Sequence, residues 1–208
     1  FTTILLPIAL RGNELVLEER KQMKIAFSTN NNYQIERFSK KYKIKNFKKI
    51  NFSTLNRSEL RGIKSELLNK INTIPISLIL AQSIIESGWG ASRFAQEGNA
   101  LFGQWTWKND DGIKPKGNLD ANFSVKSFDS LLDSVNSYIL NLNTHPAYKE
   151  LRNFRTLQNN MKKTLTGNEM ANFLEKYAEI GLEYVTKVKS MIKKNQLNKF
   201  ENSNLRNF

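Results

Sequence analysis

Twenty-two residues separate Lys70 from Arg93, and Glu86 alone among them carries charge, in a chain that is 25% charged overall. At that average about five charges would stand there. Within the run, Leu78, Ile79, Ala81 and Ile85 recur at helix-like spacings. Pro75 suits a first helical turn, and Gly88 and Gly90 suit a stop. The pattern predicts a mostly buried helix with Glu86 in its last turn.

The remaining elements follow from the same reading. Residues 1–10 are an apolar packing segment, too short to span a bilayer, which takes about 20 apolar residues. Asn13 to Lys21 reads as a helix with a polar face, 28–32 as a polar loop, and Tyr33 to Tyr42 as a short helix. Another helix starts at Ser58 or Asn56 as cap and runs to Lys70. Asn72, Thr73 and Pro75 interrupt it and mark a boundary. Residues 91–97 form a helical turn. Trp105 and Trp107 alternate with polar neighbours as in a strand at the lip of a groove, where indole faces can stack on sugar rings. Gly112, Pro115 and Gly117 mark turns, and Phe123 to Phe128 alternates as a second strand, giving a small β-hairpin flap. Leu131 to Leu142 is an amphipathic helix, followed by helices over 156–164, 168–178 and 181–195 with Gly181 as a break. Residues 196–208 read as a frayed polar tail. The partition is an N-terminal helical extension (1–72), a domain over 73–195 and the tail.

Charge narrows the partners. The net charge of +13 points to an acidic partner: nucleic acid, anionic lipid headgroups, or a carboxylate-bearing cell-wall glycan. Abundant Lys and Asn beside scarce Ala also fit an AT-rich genome, which raises charge without function. From Lys40 to Lys49, basic residues interleave with Tyr42, Ile44 and Phe47. This is a solvated lysine face first, and a membrane-surface or single-strand nucleic-acid segment second. The chain has no cysteine, which removes disulfides and cysteine-based metal or nucleophile chemistry. Its single histidine, His145, does not supply a His-rich zinc site and reads better as a loop-fixing residue. Neither metal nor organic cofactor is implied.

The candidate chemistry rests on Glu86. Burial disfavours the charged form of a carboxyl group and keeps a proton available for general-acid work. A solvated helix-end glutamate is the ordinary alternative. A negative charge at a helix C-terminus, however, meets the wrong end of the macrodipole and stabilises nothing.

The residues Leu80-Ala-Gln-Ser-Ile-Ile-Glu86-Ser-Gly-Trp-Gly90-Ala-Ser-Arg-Phe and Asn99-Ala-Leu-Phe-Gly103-Gln-Trp105 resemble the cell-wall glucosaminidase family, in particular its Bax-like branch. The resemblance continues through Phe128-Asp-Ser-Leu, Tyr138 to Tyr148, and Tyr177-Ala-Glu-Ile-Gly-Leu-Glu-Tyr184-Val, covering roughly residues 73 to 194. It implies a mostly α (α+β), lysozyme-like helical domain. The implied activity is that of an endo-β-N-acetylglucosaminidase cleaving β-1,4 bonds of peptidoglycan, in the periplasm or cell envelope. It also implies no nucleic-acid partner, and membrane association through an upstream anchor. Carried over residue by residue, it makes Glu86 the general acid and puts Tyr184 beside the catalytic centre. Tyr184 has a second reading as an amphipathic core tyrosine. Gln82, Asn99, Phe102, Trp105, Trp107 and Tyr177 become glycan-binding positions, although Phe102 and Trp89 read as core on their own.

Glycoside hydrolysis also needs a group to support the oxocarbenium-like centre. In the Bax-like branch a Glu is expected about where Ser124 stands, and this chain departs there. Asp120, or Asp110 or Asp111, could reach in from the flap, or the substrate's own N-acetyl group could serve. Two other classes stay open: lytic transglycosylase-type cleavage, which needs one acid, and a non-catalytic cationic wall-binding module.

Overall fold

The computed structural model of the chain describes residues 1–107, 112–114 and 122–205. The architecture is mostly helical with one small antiparallel sheet, as expected.

Helix α4 (Ile76–Ser87) is the axis of the molecule. Every residue from Ile76 to Ala81 is buried, as are Gln82, Ser83 and Ile84. A helix apolar on all sides belongs inside a core. Around it pack α1 (Thr2–Ser28), α8 (Gly167–Ala171) and α9 (Leu182–Lys194), together with a 3-10 turn at Leu197–Phe200. Full burial of a Leu or Ile side chain contributes roughly 1.5–3 kcal/mol. Leu78, Ile79, Leu80 and Ile84, each at most 1% exposed, therefore make α4 costly to disturb.

The apolar start and the polar-faced helix expected after it are one helix, α1, with Pro7 inside its N-terminal third. Its buried positions Leu5, Ala9, Gly12 and Val16 form a single stripe. That stripe lies against α6 (Leu131–Thr144) so closely that a Cβ on Gly12 would sit 2.9 Å from Val135 Cγ1. Asn13 also clamps the entry to α4: its amide donates to the Ile74 carbonyl (2.7 Å) and its Oδ1 accepts from the Ile74 N–H (3.0 Å). Residues 1–72 share the core of 73–195, because one buried cluster runs from Leu5 to Leu197.

Helices α2 (Asn32–Lys41) and α3 (Arg57–Lys70) complete the N-terminal part. Of the two caps considered for α3 the structure uses Asn56, in a capping box with Glu59. Tyr42 and Ile44 point inward and the neighbouring lysines outward.

After α5 (Arg93–Gly98), strands β1 (Trp105–Thr106), β2 (Gly112–Ile113) and β3 (Ser124–Lys126) pair in the order β1-β3-β2, with Trp105 opposite Val125 and Thr106 opposite Ser124. Ser124 is a buried residue of the central strand.

Three expected boundaries move. Helix α7 spans Lys149–Asn160, earlier than 156–164, because its buried face carries Arg152 and Arg155 beside Leu151 and so hides from a reading based on apolar spacing. The helix expected over 168–178 stops after Ala171. There Asn172 turns its side chain back to the Glu169 carbonyl (3.0 Å) and competes with helix continuation. The expected fray after 196 is an ordered return, in which Leu197 is buried and Glu201 accepts from Ser77 Oγ and from the Gly167 N–H.

Candidate active site

The site is built at the C-terminal end of α4. Gln82 and Glu86 are one turn apart and share a face of the helix. The helix stops directly after them, because Gly88, Trp89 and Gly90 all take left-handed backbone (φ +57°, +58° and +78°). Trp89 N–H then closes onto the Ile84 carbonyl (3.1 Å), while Ser87 Oγ donates to the Ser83 carbonyl (2.6 Å) and accepts from Gly90 N–H (2.8 Å). The stop leaves Glu86 half-buried in the last turn rather than enclosed in the helix body.

Four aromatic rings close in from three directions. Tyr184 of α9 donates its hydroxyl proton to Glu86 Oε1 at 2.6 Å and accepts from Gln82 Nε2 at 3.0 Å. Tyr138 of α6 donates to Gln82 Oε1 at 2.6 Å. Tyr138 stacks on Phe102 (centroids 4.1 Å apart, 14° between planes), and Tyr177 stacks on Tyr184 (5.2 Å, 9°). The Tyr177 hydroxyl donates to the Phe102 carbonyl at 3.2 Å, which fixes the backbone just before Gly103. Gly103 is left-handed (φ +59°), and a Cβ there would stand 3.4 Å from Glu86 Oε2. Its missing side chain keeps that oxygen uncovered.

Burial pushes the Glu86 carboxyl above its ordinary value. The Tyr184 hydrogen bond and the Lys187 ammonium pull it partly back. Burial likewise drives the phenols of Tyr138, Tyr177 and Tyr184 well up, so all three remain neutral donors at physiological pH. The result is a carboxyl poised to hold and release a proton, oriented by one phenol. Among the described residues no group of three or more His, Asp or Glu side chains could hold a metal ion.

A second feature lies two residues beyond Gly103. Trp105 is 53% exposed and stacks on Phe123 (4.5 Å, 19°), and Trp107 is 71% exposed. Both indoles are thus largely open to solvent.

The model of the family described as mannosyl-glycoprotein endo-beta-N-acetylglucosaminidase matches residues 63–197. The chain belongs to the glucosaminidase family. A glucosaminidase domain points to a glycan-cleaving hydrolase. Over 204 residues the chain is 30% identical to Protein bax of Escherichia coli (strain K12), with 94% of the chain and 69% of that protein covered. No solved structure matches it.

The structure brings Glu86, Tyr184, Gln82 and Tyr177 together, with Phe102 beneath them. Gln82 and Phe102, expected among the glycan contacts, are at most 2% exposed. They have no surface to offer a ligand and act from behind, Gln82 on Tyr184 and Phe102 on Tyr138. Asn99 is a left-handed helix cap whose amide donates to the Phe128 carbonyl (2.9 Å), so it holds the turn. Trp105 and Trp107 are open to a ligand. Trp89, expected in the core, is 49% exposed and touches Phe1 edge-on. Asp120, like Asp110 and Asp111, lies outside the described residues. His145 accepts from the Ala147 N–H through Nδ1 (3.2 Å), the loop-fixing role expected of it.

The sequence reading missed Tyr138, Gly103 and Lys187. Tyr138 had a usable signal. A glutamine inside an uncharged buried helix must find hydrogen-bond partners, and tyrosines on facing helices are the natural ones.

Proposed function

We propose that the protein is an endo-β-N-acetylglucosaminidase that hydrolyses β-1,4 bonds of peptidoglycan in the cell envelope, with Glu86 as general acid. The observation that carries this reading is the half-buried Glu86 carboxyl, raised by burial and held through Oε1 by the Tyr184 hydroxyl at 2.6 Å. Glu86 gives its proton to the glycosidic oxygen as the bond from that oxygen to the anomeric carbon breaks. Positive charge develops on the anomeric carbon and its ring oxygen. Tyr184 then stabilises the carboxylate that remains. Water adds to the anomeric carbon, and its proton returns to Glu86. The support for the cationic centre falls to the substrate's acetamido oxygen or to a flap carboxylate, Asp110, Asp111 or Asp120. The exposed Trp105 and Trp107 suit the role of sugar platform.

One observation also favours a second reading. Ser124, standing where the Bax-like branch is expected to carry a Glu, is a buried residue of the central strand and brings no carboxylate. A single acid suffices for lytic transglycosylase-type cleavage. Digestion of purified peptidoglycan separates the two: reducing N-acetylglucosamine ends support the hydrolase, and anhydro-muramyl ends the alternative. Binding of peptidoglycan by the parent protein with no release of either end would leave a non-catalytic wall-binding module as the better account, and undiminished turnover by Glu86→Gln would remove Glu86 as the general acid.

A further inference from the structure

A line of hydrogen bonds runs from the core to the Glu86 carboxyl, and its direction is set at the far end. Tyr138 is fully buried on α6. Its phenol keeps its proton at that depth and donates it to Gln82 Oε1 at 2.6 Å. That bond turns the other end of the amide, Nε2, toward Tyr184 Oη at 3.0 Å. An amide nitrogen only donates, so Tyr184 Oη accepts there. The one proton of Tyr184 is then left for Glu86 Oε1 at 2.6 Å. With Oε1 engaged as an acceptor, the acidic proton of neutral Glu86 belongs on Oε2, the oxygen that Gly103 leaves uncovered.

We infer that Tyr138 and Gln82 are positioning residues that aim the Glu86 proton through Oε2 toward the open side at Gly103, where the glycosidic oxygen of an N-acetylated glycan is received. The inference rests on the general-acid reading above and assigns the donating atom. Neither residue touches substrate, since Tyr138 and Gln82 are both 0% exposed. Among the described residues the charged and titratable groups around the carboxyl are Tyr184 and Lys187 of α9, Tyr138 of α6, and Tyr177 from the segment before α9. Backbone geometry supports the same approach side. The Tyr177 hydroxyl pins the Phe102 carbonyl (3.2 Å), and the left-handed Gly103 follows directly.

Tyr138→Phe tests this with little change in shape, because the ring still stacks on Phe102 and only the hydroxyl is lost. Without a donor on Oε1 the Gln82 amide is free to turn and accept the Tyr184 proton, and Glu86 loses its hydrogen bond. In the full chain labelled with carbon-13, the titration midpoint of the Glu86 carboxyl should rise by about one pH unit. The alkaline limb of glycan cleavage should rise with it, and kcat should fall about tenfold with KM within about twofold. Gln82→Met keeps side-chain length but leaves Tyr184 unheld. It should lower kcat by a similar factor with a smaller change in midpoint, and it decides the matter on kcat if Tyr138→Phe does not fold. A folded Tyr138→Phe protein with the parent's Glu86 midpoint and kcat overturns the relay. Retained cleavage by Glu86→Gln would instead remove the general-acid reading, and the carbon-13 midpoints would still report on the relay.

Discussion

Two helices of this protein meet an ionisable side chain at their carboxyl end, Arg155 fully buried and Glu86 half-buried, and the two carry opposite signs. At the end of α3 stands Arg155, 0% exposed. Its Nη2 donates to the Asn69 (2.8 Å) and Lys70 carbonyls, and its Nη1 to those of Asn72 and Thr73 (3.0 Å) and to Asn143 Oδ1 (2.7 Å). Arg20 of α1 adds donors to the Leu68 and Ile71 carbonyls. A cation there complements the helix dipole and satisfies carbonyls that the helix cannot. Burial, with Arg152 and Arg20 nearby, lowers the Arg155 guanidinium to about 9, and it stays charged at neutral pH. At the end of α4 the sign is reversed. Glu86 opposes the dipole, accepts one hydrogen bond among the described residues and is raised by burial. The first charge is spent on structure. The second is held in tension with its surroundings, which is the condition for proton transfer.

Removing each charge should therefore break different properties. Glu86→Gln should lower glycan cleavage about a thousandfold, the usual worth of a general acid, with no loss in thermal midpoint. Turnover of purified peptidoglycan and a melting curve on the same preparation check both halves. Arg155→Leu should do the reverse. It strands several buried carbonyls, each costing about 1–3 kcal/mol, so denaturant unfolding should show a loss of about 3 kcal/mol or more, while the folded fraction cleaves glycan at the parent rate. If Arg155→Leu were stable, or Glu86→Gln unstable, the division of labour between the two helix ends would be wrong.

The same contrast explains what was legible in the sequence. Glu86 stood out because apolar neighbours isolate it, and the helix beneath it was readable because burial on all sides leaves a continuous apolar run. Arg155 did not stand out. A buried arginine looks like a surface residue in a hydropathy pattern, so α7 was placed seven residues late at its start and its role at the α3 terminus was hidden. Phe102, Gln82 and Asn99 carry the family motif, yet the motif does not say whether a residue faces the glycan or supports one that does. Gln82 and Phe102 lie under the site and Asn99 caps a turn. The merging of residues 1–28 into one helix was equally illegible, since the docking of α1 on α6 depends on close packing at Gly12 rather than on local periodicity.

Tyr184→Phe sharpens the α4 side of the comparison. It deletes the Tyr184 hydrogen bond to the carboxyl while Phe keeps the stack on Tyr177. The lost bond favoured the ionised form, so the Glu86 pKa rises and the acid stays protonated to higher pH. The alkaline limb of activity should move up by about one unit, while kcat falls some ten- to hundredfold from lost orientation, a hydrogen bond to a charged group being worth about 1.5–3 kcal/mol. A pH profile of cleavage with both proteins reads the shift. A downward shift would mean that Tyr184 opposes the ionised carboxylate.

The smallest effect concerns stability against pH. The folded-state pKa of Glu86 lies above its unfolded value, so the folded chain holds that proton more tightly than the unfolded one. Any stability this confers is fully present below the ordinary glutamate value near ~4.3 and is lost as pH rises through the raised folded value. Gln at the same position titrates nothing and removes a charge that opposes the α4 dipole. Thermal midpoints of parent and Glu86→Gln, measured across that window, should differ by one constant amount at low pH. Above the folded pKa the comparison should tilt toward the variant by a few degrees at most. Curves that stay parallel across the window would mean that Glu86 ionises at no cost to the fold. The contrast with Arg155 would then lose its energetic basis at the α4 end.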